Sequence, residues 1–262
     1  MSTFVRGAAA GMVAALVLSA CGDDTIVDRG QPAPSAPASA QRATPAPSPS
    51  ATPTGAQQLT GFFSAVARID TQLRSAAALV NGEIHADGAA FSAATVAAIE
   101  AIEPAHVVRE IPGGLPPELL RRVLLVYSDL VARRLALRGV EHAGPAPDAS
   151  LLGWVLECLA SGGVAADRFT QDLAEARAAA ASVPAVPSVA PDSQAAAEVA
   201  IRAEDVLSGA GACGSCFGTA QTTLDPLVWE GSGTDWHGTV GGVPFRASYA
   251  VGTGWVVSGE WC

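Results

Sequence analysis

The sequence predicts an α+β protein, with an α-helical bundle domain followed by a small antiparallel β meander and preceded by a disordered tether. Between residues 57 and 210, apolar residues recur at intervals of three and four, which is the period of an amphipathic helix. Four of the five tryptophans lie in the final 34 residues, where apolar and polar residues alternate instead. Residues 22–56 consist mainly of Pro, Ala, Ser and Thr, a composition with little apolar surface to bury.

The first helix is predicted to start near Gln57 and to stop at Asn81-Gly82, because glycine accepts the left-handed conformation that ends many helices. A second helix is predicted to begin after Ser92 as its N-cap and to end before Pro104. The first helix presents a continuous apolar face formed by Leu59, Phe62, Phe63, Val66, Ile69, Leu73 and Val80.

The strongest helical pattern runs from Pro117 to Arg138, with Gly139 just past its predicted end. This helix is rich in arginine, and Asp129 and Arg133 have the i,i+4 spacing of a favourable ion pair. Two further helices are predicted over 148–160 and 166–182, capped by Asp148 and Asp167, and a last one over 192–208.

Residues 211–262 are predicted to form three or four β-strands. Residues 243–249 alternate between apolar and polar, and Val240-Gly241-Gly242-Val243 has the composition of a hairpin turn. So small a sheet buries too little apolar area to be stable alone. We therefore expect disulfides, or packing against the helices, to stabilise it.

The N-terminus carries a basic residue, Arg6, an uncharged run over 7–18 and then small residues, which is the layout of a secretory signal peptide. As a helix this run of twelve residues rises only about 18 Å, against about 30 Å of bilayer hydrocarbon. Leu18-Ser19-Ala20-Cys21, followed by a polar segment, resembles the lipobox of bacterial lipoproteins.

That resemblance implies that residues 1–20 are removed and that acyl chains, palmitate among them, are attached to Cys21. Residues 21–56 then form a lipid-bearing tether, and the protein is exported and anchored to the outer face of the bacterial cell membrane. The alternative is an ordinary cleaved signal peptide with an incidental cysteine.

The charge balance argues against nucleic acid as a partner. The chain has 15 basic and 25 acidic residues, and every basic residue is arginine. Binding to phosphate backbones requires clustered basic residues, and no long basic run is present. We expect the membrane as a partner through the lipid, together with an envelope protein or an anionic polymer.

Without Cys21, four cysteines remain, namely Cys158, Cys213, Cys216 and Cys262. Their even number and the predicted export favour two disulfides, and three pairings are open. Cys213-Gly214-Ser215-Cys216-Phe217 resembles the nucleophile segment of papain-like proteases, but no histidine lies at the spacing of that family. Thiol-disulfide exchange at Cys213/Cys216 is another alternative, and a zinc site that adds His237 is a third.

The tail tryptophans, Trp229, Trp236, Trp255 and Trp261, are candidates for a binding surface, since aromatic side chains are enriched at contact sites. The competing interpretation is that they fill a core between the sheet and the helices. The sequence therefore predicts a binding or structural role at the cell envelope, with no cofactor and no metal. The alternative is an envelope enzyme, either a thiol-disulfide exchanger or a hydrolase.

Overall fold

The computed structural model describes residues 53–85, 88–209 and 225–259. The described residues form a helical bundle followed by a four-stranded antiparallel sheet, as the sequence predicts. The predicted signal peptide and most of the predicted tether lie outside these residues. The α-helices are α1 (Gly55–Gln58), α2 (Thr60–Glu83), α3 (Ala93–Glu100), α4 (Pro117–Ala143), α5 (Ala149–Ser182) and α6 (Gln194–Gly209), with a 3₁₀ helix at Pro104–Glu110. The strands are β1 (Ile84–His85), β2 (Gly88–Ala89), β3 (Leu227–Ser232), β4 (Asp235–Val240), β5 (Val243–Ala250) and β6 (Gly254–Gly259).

Helix α4 lies at the centre of the bundle. It contacts α2, α3, α5, α6 and the 3₁₀ helix, so its buried surface extends around most of its circumference. The apolar face predicted for this helix is buried, and its members include Leu120, Val123, Leu124, Tyr127, Leu130 and Val131. The main hydrophobic core is therefore assembled around this one helix.

The predicted end of α4 at Arg138 is wrong, because the helix continues to Ala143. Gly144, with a φ of 73°, is the C-cap residue. Gly139 lies inside the helix, where a β-carbon would lie 3.4 Å from the Cβ and Sγ atoms of Cys158. Glycine at this position reflects close approach between two helices and not helix termination.

The two helices predicted over 148–160 and 166–182 are one continuous helix, α5. Asp148 caps it as predicted, since its carboxylate accepts hydrogen bonds from the backbone N–H groups of Ser150 and Leu151. Asp167 is not a cap and lies exposed within the helix.

Close packing against α4 accounts for Gly162 inside α5. A β-carbon on Gly162 would lie only 2.7 Å from the Cβ atom of Ala136. Glycine inside a helix costs about 1 kcal/mol relative to alanine, but here it allows the two backbones to approach. The buried positions of α5 lie three, four or seven residues apart, which places them on one face of the helix, and they include Val155, Cys158, Ala165 and Phe169.

The predicted stop at Asn81-Gly82 is also wrong. Helix α2 runs through both residues to Glu83, and Gly82 does not have a positive φ. A two-stranded hairpin of β1 and β2 follows, which no pattern in the sequence predicts. The Ser92 cap of α3 is confirmed, because its side chain accepts a hydrogen bond from the Thr95 N–H over 3.1 Å.

The tail is a meander with strand order β3-β4-β5-β6, each strand antiparallel to the next. The predicted hairpin is confirmed, with Gly241 at a φ of 57° and Gly242 at 85° between β4 and β5. One face of the sheet packs on α6 and forms a second, smaller core around Ala197, Ile201, Val240, Phe245 and Ala247. Packing on a helix thus stabilises the sheet, as expected for one so small.

Tyr127 leads to a prediction about stability. Its side chain is fully buried, and its hydroxyl group has no hydrogen-bond partner among the described residues. Burial raises the pKa of this phenol, so the group stays neutral. An unpaired buried hydroxyl costs about 1–3 kcal/mol, so Tyr127→Phe is expected to raise the free energy of unfolding by about 1 kcal/mol. Urea unfolding tests this, with Tyr249→Phe in the sheet as control; a loss of stability in Tyr127→Phe would contradict it.

Candidate functional site

The described tryptophans of the tail pack at the border of the sheet core. Trp229, Trp236 and Trp255 are half-buried against it, and the rings of Trp229 and Trp236 lie 4.9 Å apart. The indole N–H of Trp236 donates to the Gly233 carbonyl and that of Trp255 to the Pro191 carbonyl. This placement favours a packing role for the three residues, and the predicted binding role stays a prediction. Trp261 lies outside the described residues.

Cys158 is fully buried between α4 and α5 and is disulfide-bonded. Cys21, Cys213, Cys216 and Cys262 lie outside the described residues, so the predicted lipidation and the choice among pairings stay predictions. Thiol-disulfide exchange at Cys213/Cys216 therefore also stays a prediction. The same holds for the zinc site, whose cysteine ligands are outside the described residues.

The described histidines are dispersed. His237 is exposed on the outer face of the sheet, 3.4 Å from Glu230. His142 contacts the Arg138 carbonyl and the ring of Trp154. In the described ranges, no group of three or more His, Cys, Asp or Glu side chains is arranged to hold a metal ion.

A cavity of about 470 Å³ opens between the 3₁₀ helix, α4 and α6. Ligand sites in proteins occupy about 300–1,000 Å³, so this cavity has room for a small molecule. Its walls combine an apolar part with a cationic part, and the lining residues are Glu103, Pro104, Ala105, His106, Arg109, Val131, Arg134, Leu135, Arg138 and Leu207. We take this cavity as the candidate functional site.

Arg134 is the most buried cation of the cavity, with a side chain only 13% exposed. Its Nε donates to the Ile102 carbonyl at 3.1 Å, and its Nη2 donates to Glu141 Oε1 at 2.8 Å. These bonds hold the guanidinium plane in place. The remaining nitrogen, Nη1, is buried and has no hydrogen-bond partner among the described residues. Buried polar atoms are nearly always paired, so this nitrogen lacks the acceptor that a buried donor usually has.

Two other arginines line the cavity. Arg109 is exposed on the 3₁₀ helix and makes no ion pair with another described residue. Arg138 is 46% exposed, and its Nε lies 3.9 Å from the same Glu141 carboxylate that binds Arg134. Glu103 is paired with His106 at 2.8 Å. Three guanidinium groups thus face two carboxylates, and the site has a net positive charge within a chain of net charge −10.

A second charged cluster joins α2, α4 and α5, and its pairing differs from the prediction. Arg133 does not pair with Asp129; its Nη1 donates to Asp70 on α2 at 2.8 Å. Asp129 instead accepts from Arg168 on α5 at 3.1 Å. The i,i+4 pair fails because burial between helices offers each side chain a partner on a neighbouring helix.

Asp129 is fully buried, and its Oδ2 atom has no donor among the described residues. Burial, together with a hydrogen bond to the neighbouring Asp172 carboxyl, raises the pKa of this carboxyl group to about 7, although Arg168 acts to lower it. The cluster links three helices inside the bundle and does not line the cavity, so its role is in stability.

The arginine-rich composition of α4 is evident from the sequence, but the cavity is not. Arg134 and Arg138 belong to that basic set, whereas Arg109 is a single basic residue in a short segment without a motif. The recognisable signal was a helix whose arginines lie four residues apart, at 134 and 138, and so share one face. The sequence does not show that this face of α4 lines a cavity, because the cavity forms only where α6 and the 3₁₀ helix pack near it.

Among the described helices, α5 alone is long and apolar enough to cross a membrane, judged by length and composition. Its inner face packs on α4, while Leu156 and Val164 on the opposite side are about half exposed. No family model, curated protein or solved structure matches this chain significantly.

Proposed function

We propose that this chain is an exported bacterial lipoprotein, anchored to the outer face of the cell membrane through Cys21, with a binding role at the cell envelope. The observation that carries the localisation is Leu18-Ser19-Ala20-Cys21 after a short uncharged run with one basic residue before it. Several acyl chains on one cysteine provide the stable anchoring that a single chain does not.

Two further features support this proposal. Cys158 is disulfide-bonded, and disulfides persist in oxidising compartments, which an exported protein reaches. The segment over 22–52 has the composition of an extended linker, which spans about 3.1 Å per residue in the polyproline II conformation. The folded domain would then act at a distance from the membrane surface.

The binding role is supported by the arginine-lined cavity. A concave site with an apolar wall and a few convergent polar groups is the usual form of a small-molecule site. The open donor on Arg134 Nη1 is a group that a bound acceptor would satisfy. Arg109 and Arg138 belong to the same lining, so three guanidinium groups surround the site.

The Cys21→Ala variant tests the anchor. With its own signal sequence in a bacterial host, the parent chain is expected to partition into the detergent phase of Triton X-114, and Cys21→Ala into the aqueous phase. Mass spectrometry of the N-terminal peptide should show acyl chains on Cys21 of the parent only. Cys262→Ala is the matched control, because it removes a cysteine and leaves the anchor, so it should partition like the parent. Equal partitioning of the parent and Cys21→Ala would refute the proposed localisation.

A further inference from the structure

We infer that the cavity between the 3₁₀ helix, α4 and α6 binds a small organic oxyanion, a phosphate or carboxylate group on a short apolar body. This inference rests on the binding role proposed above and names the chemistry of its ligand. It does not depend on the lipid anchor.

The unpaired nitrogen of Arg134 is the first observation that points to an anion. Arg134 Nη1 is buried without an acceptor, while its neighbours Nε and Nη2 are committed to Ile102 and Glu141. A guanidinium group has only N–H donors, so the group that satisfies Nη1 must be an acceptor. An oxyanion meets this requirement with a charge-assisted hydrogen bond.

The charge of the cavity is the second observation. Arg109 has no acidic partner among the described residues, and Arg134 and Arg138 share one carboxylate, that of Glu141. One negative charge of a ligand would balance the excess. Cationic ligands are disfavoured by the same arginines, and neutral ones would leave the excess uncompensated.

The apolar wall is the third observation, and it sets the body of the ligand. Val131 and Leu135 of α4 and Leu207 of α6 also line the cavity. A bare inorganic anion would leave this wall in water. A short alkyl chain attached to the anion would bury against it, and each buried methylene strengthens binding several-fold.

Isothermal titration calorimetry with the full-length Cys21→Ala chain tests this inference in solution, without detergent. The probes are hexyl phosphate, hexanoate, inorganic phosphate and hexylammonium. We expect hexyl phosphate or hexanoate to bind at least about tenfold more tightly than inorganic phosphate, since two buried methylenes suffice for that factor. Hexylammonium should not bind. The relative affinities of the phosphate and the carboxylate identify which head group the site prefers.

Three substitutions in the Cys21→Ala chain connect binding to the cavity. Arg134→Gln is expected to weaken binding of the preferred probe about a hundredfold, and Arg109→Gln about tenfold, as for loss of hydrogen bonds to a charged group. Arg68→Gln is the matched control, because Arg68 is an exposed helical arginine away from the cavity. Its affinity should equal that of the unsubstituted chain.

Arg109→Gln keeps the test decisive if Arg134→Gln loses structure, since Arg109 is exposed and makes no ion pair with another described residue. Circular dichroism establishes that each variant is folded. The inference is overturned if neither alkyl anion binds at millimolar concentration, or if Arg109→Gln and folded Arg134→Gln bind as tightly as Arg68→Gln. Because anchoring is read out separately by detergent partitioning, either proposal can fail without the other.

Discussion

At pH 8, Asp129→Asn is expected to increase the free energy of unfolding, by on the order of 4 kcal/mol. The Asp129 carboxyl is fully buried; Arg168 donates through Nε to Oδ1, and its Nη2 lies 3.1 Å from the same oxygen. The other oxygen, Oδ2, has no donor in the described part of the chain. An ionised Asp129 is therefore only half satisfied, and the neighbouring Asp172 carboxyl opposes its charge.

The direction of the pH dependence follows from the raised pKa. Burial and Asp172 raise the pKa of Asp129 from 3.8 to about 7 in the folded chain. Between these values the folded state holds a proton that the unfolded state has released, so stability falls as the pH rises. The protonated Asp129 carboxyl makes its full contribution to the free energy of unfolding below pH 3.8. This contribution is lost as the pH rises through about 7.

Asparagine mimics the protonated acid at every pH. Its amide oxygen can accept from Arg168, and its N–H groups can donate to Asp172. The free energy of unfolding of Asp129→Asn should therefore exceed that of the parent only slightly near pH 4.5, and the difference should grow towards pH 8.

Urea unfolding of both proteins between pH 4.5 and 8.5 measures this difference. Comparison of the two chains removes the contributions of groups common to both. Asp167→Asn on α5 is the matched control, because Asp167 is exposed on the same helix as Asp172. Its effect should be small and nearly independent of pH. A difference between the parent and Asp129→Asn that does not change with pH would refute the argument.

Leu73→Ala is expected to lower the free energy of unfolding by about 3 kcal/mol. Leu73 lies on α2 and is 1% exposed within the main core. Truncation removes three buried carbon atoms and leaves a cavity. The surrounding helices fill this cavity only in part, because their packing against other helices limits how far they can move.

Leu79→Ala provides the control on the same helix with the same chemistry. Leu79 is 46% exposed, so its truncation should cost less than about 1 kcal/mol. Chemical denaturation of both variants at pH 6 gives the comparison. Equal losses would show that burial on α2 does not determine the effect.

Much of the fold was predictable because it depends on local chemistry. Ser92 and Asp148 cap helices in the structure because a short polar side chain at that point satisfies free backbone N–H groups. The glycines at 241 and 242 form the β4–β5 turn because they tolerate positive φ. The alternation over 243–249 became β5, with Phe245 and Ala247 facing the helix.

The errors within α4 and α5 share one physical cause. Gly139 and Gly162 carry the local signal of a helix end, yet both lie inside helices because α4 and α5 approach closely there. Glycine is compatible with either outcome, and only the packing partner decides between them. The pair predicted within α4, Asp129 and Arg133, separated for a similar reason, since stronger partners were supplied by α2 and α5.

The sequence by itself determined the α+β class, the succession of a helical domain and a β meander, and the expectation of a lipid anchor at Cys21, because each depends on neighbouring residues or on a contiguous motif. Tertiary structure alone decided where helices continue through glycine, which charges meet, and that Arg109, Arg134 and Arg138 surround one cavity. These features join residues far apart in the chain, and their energies arise only when packing removes water and brings the groups together.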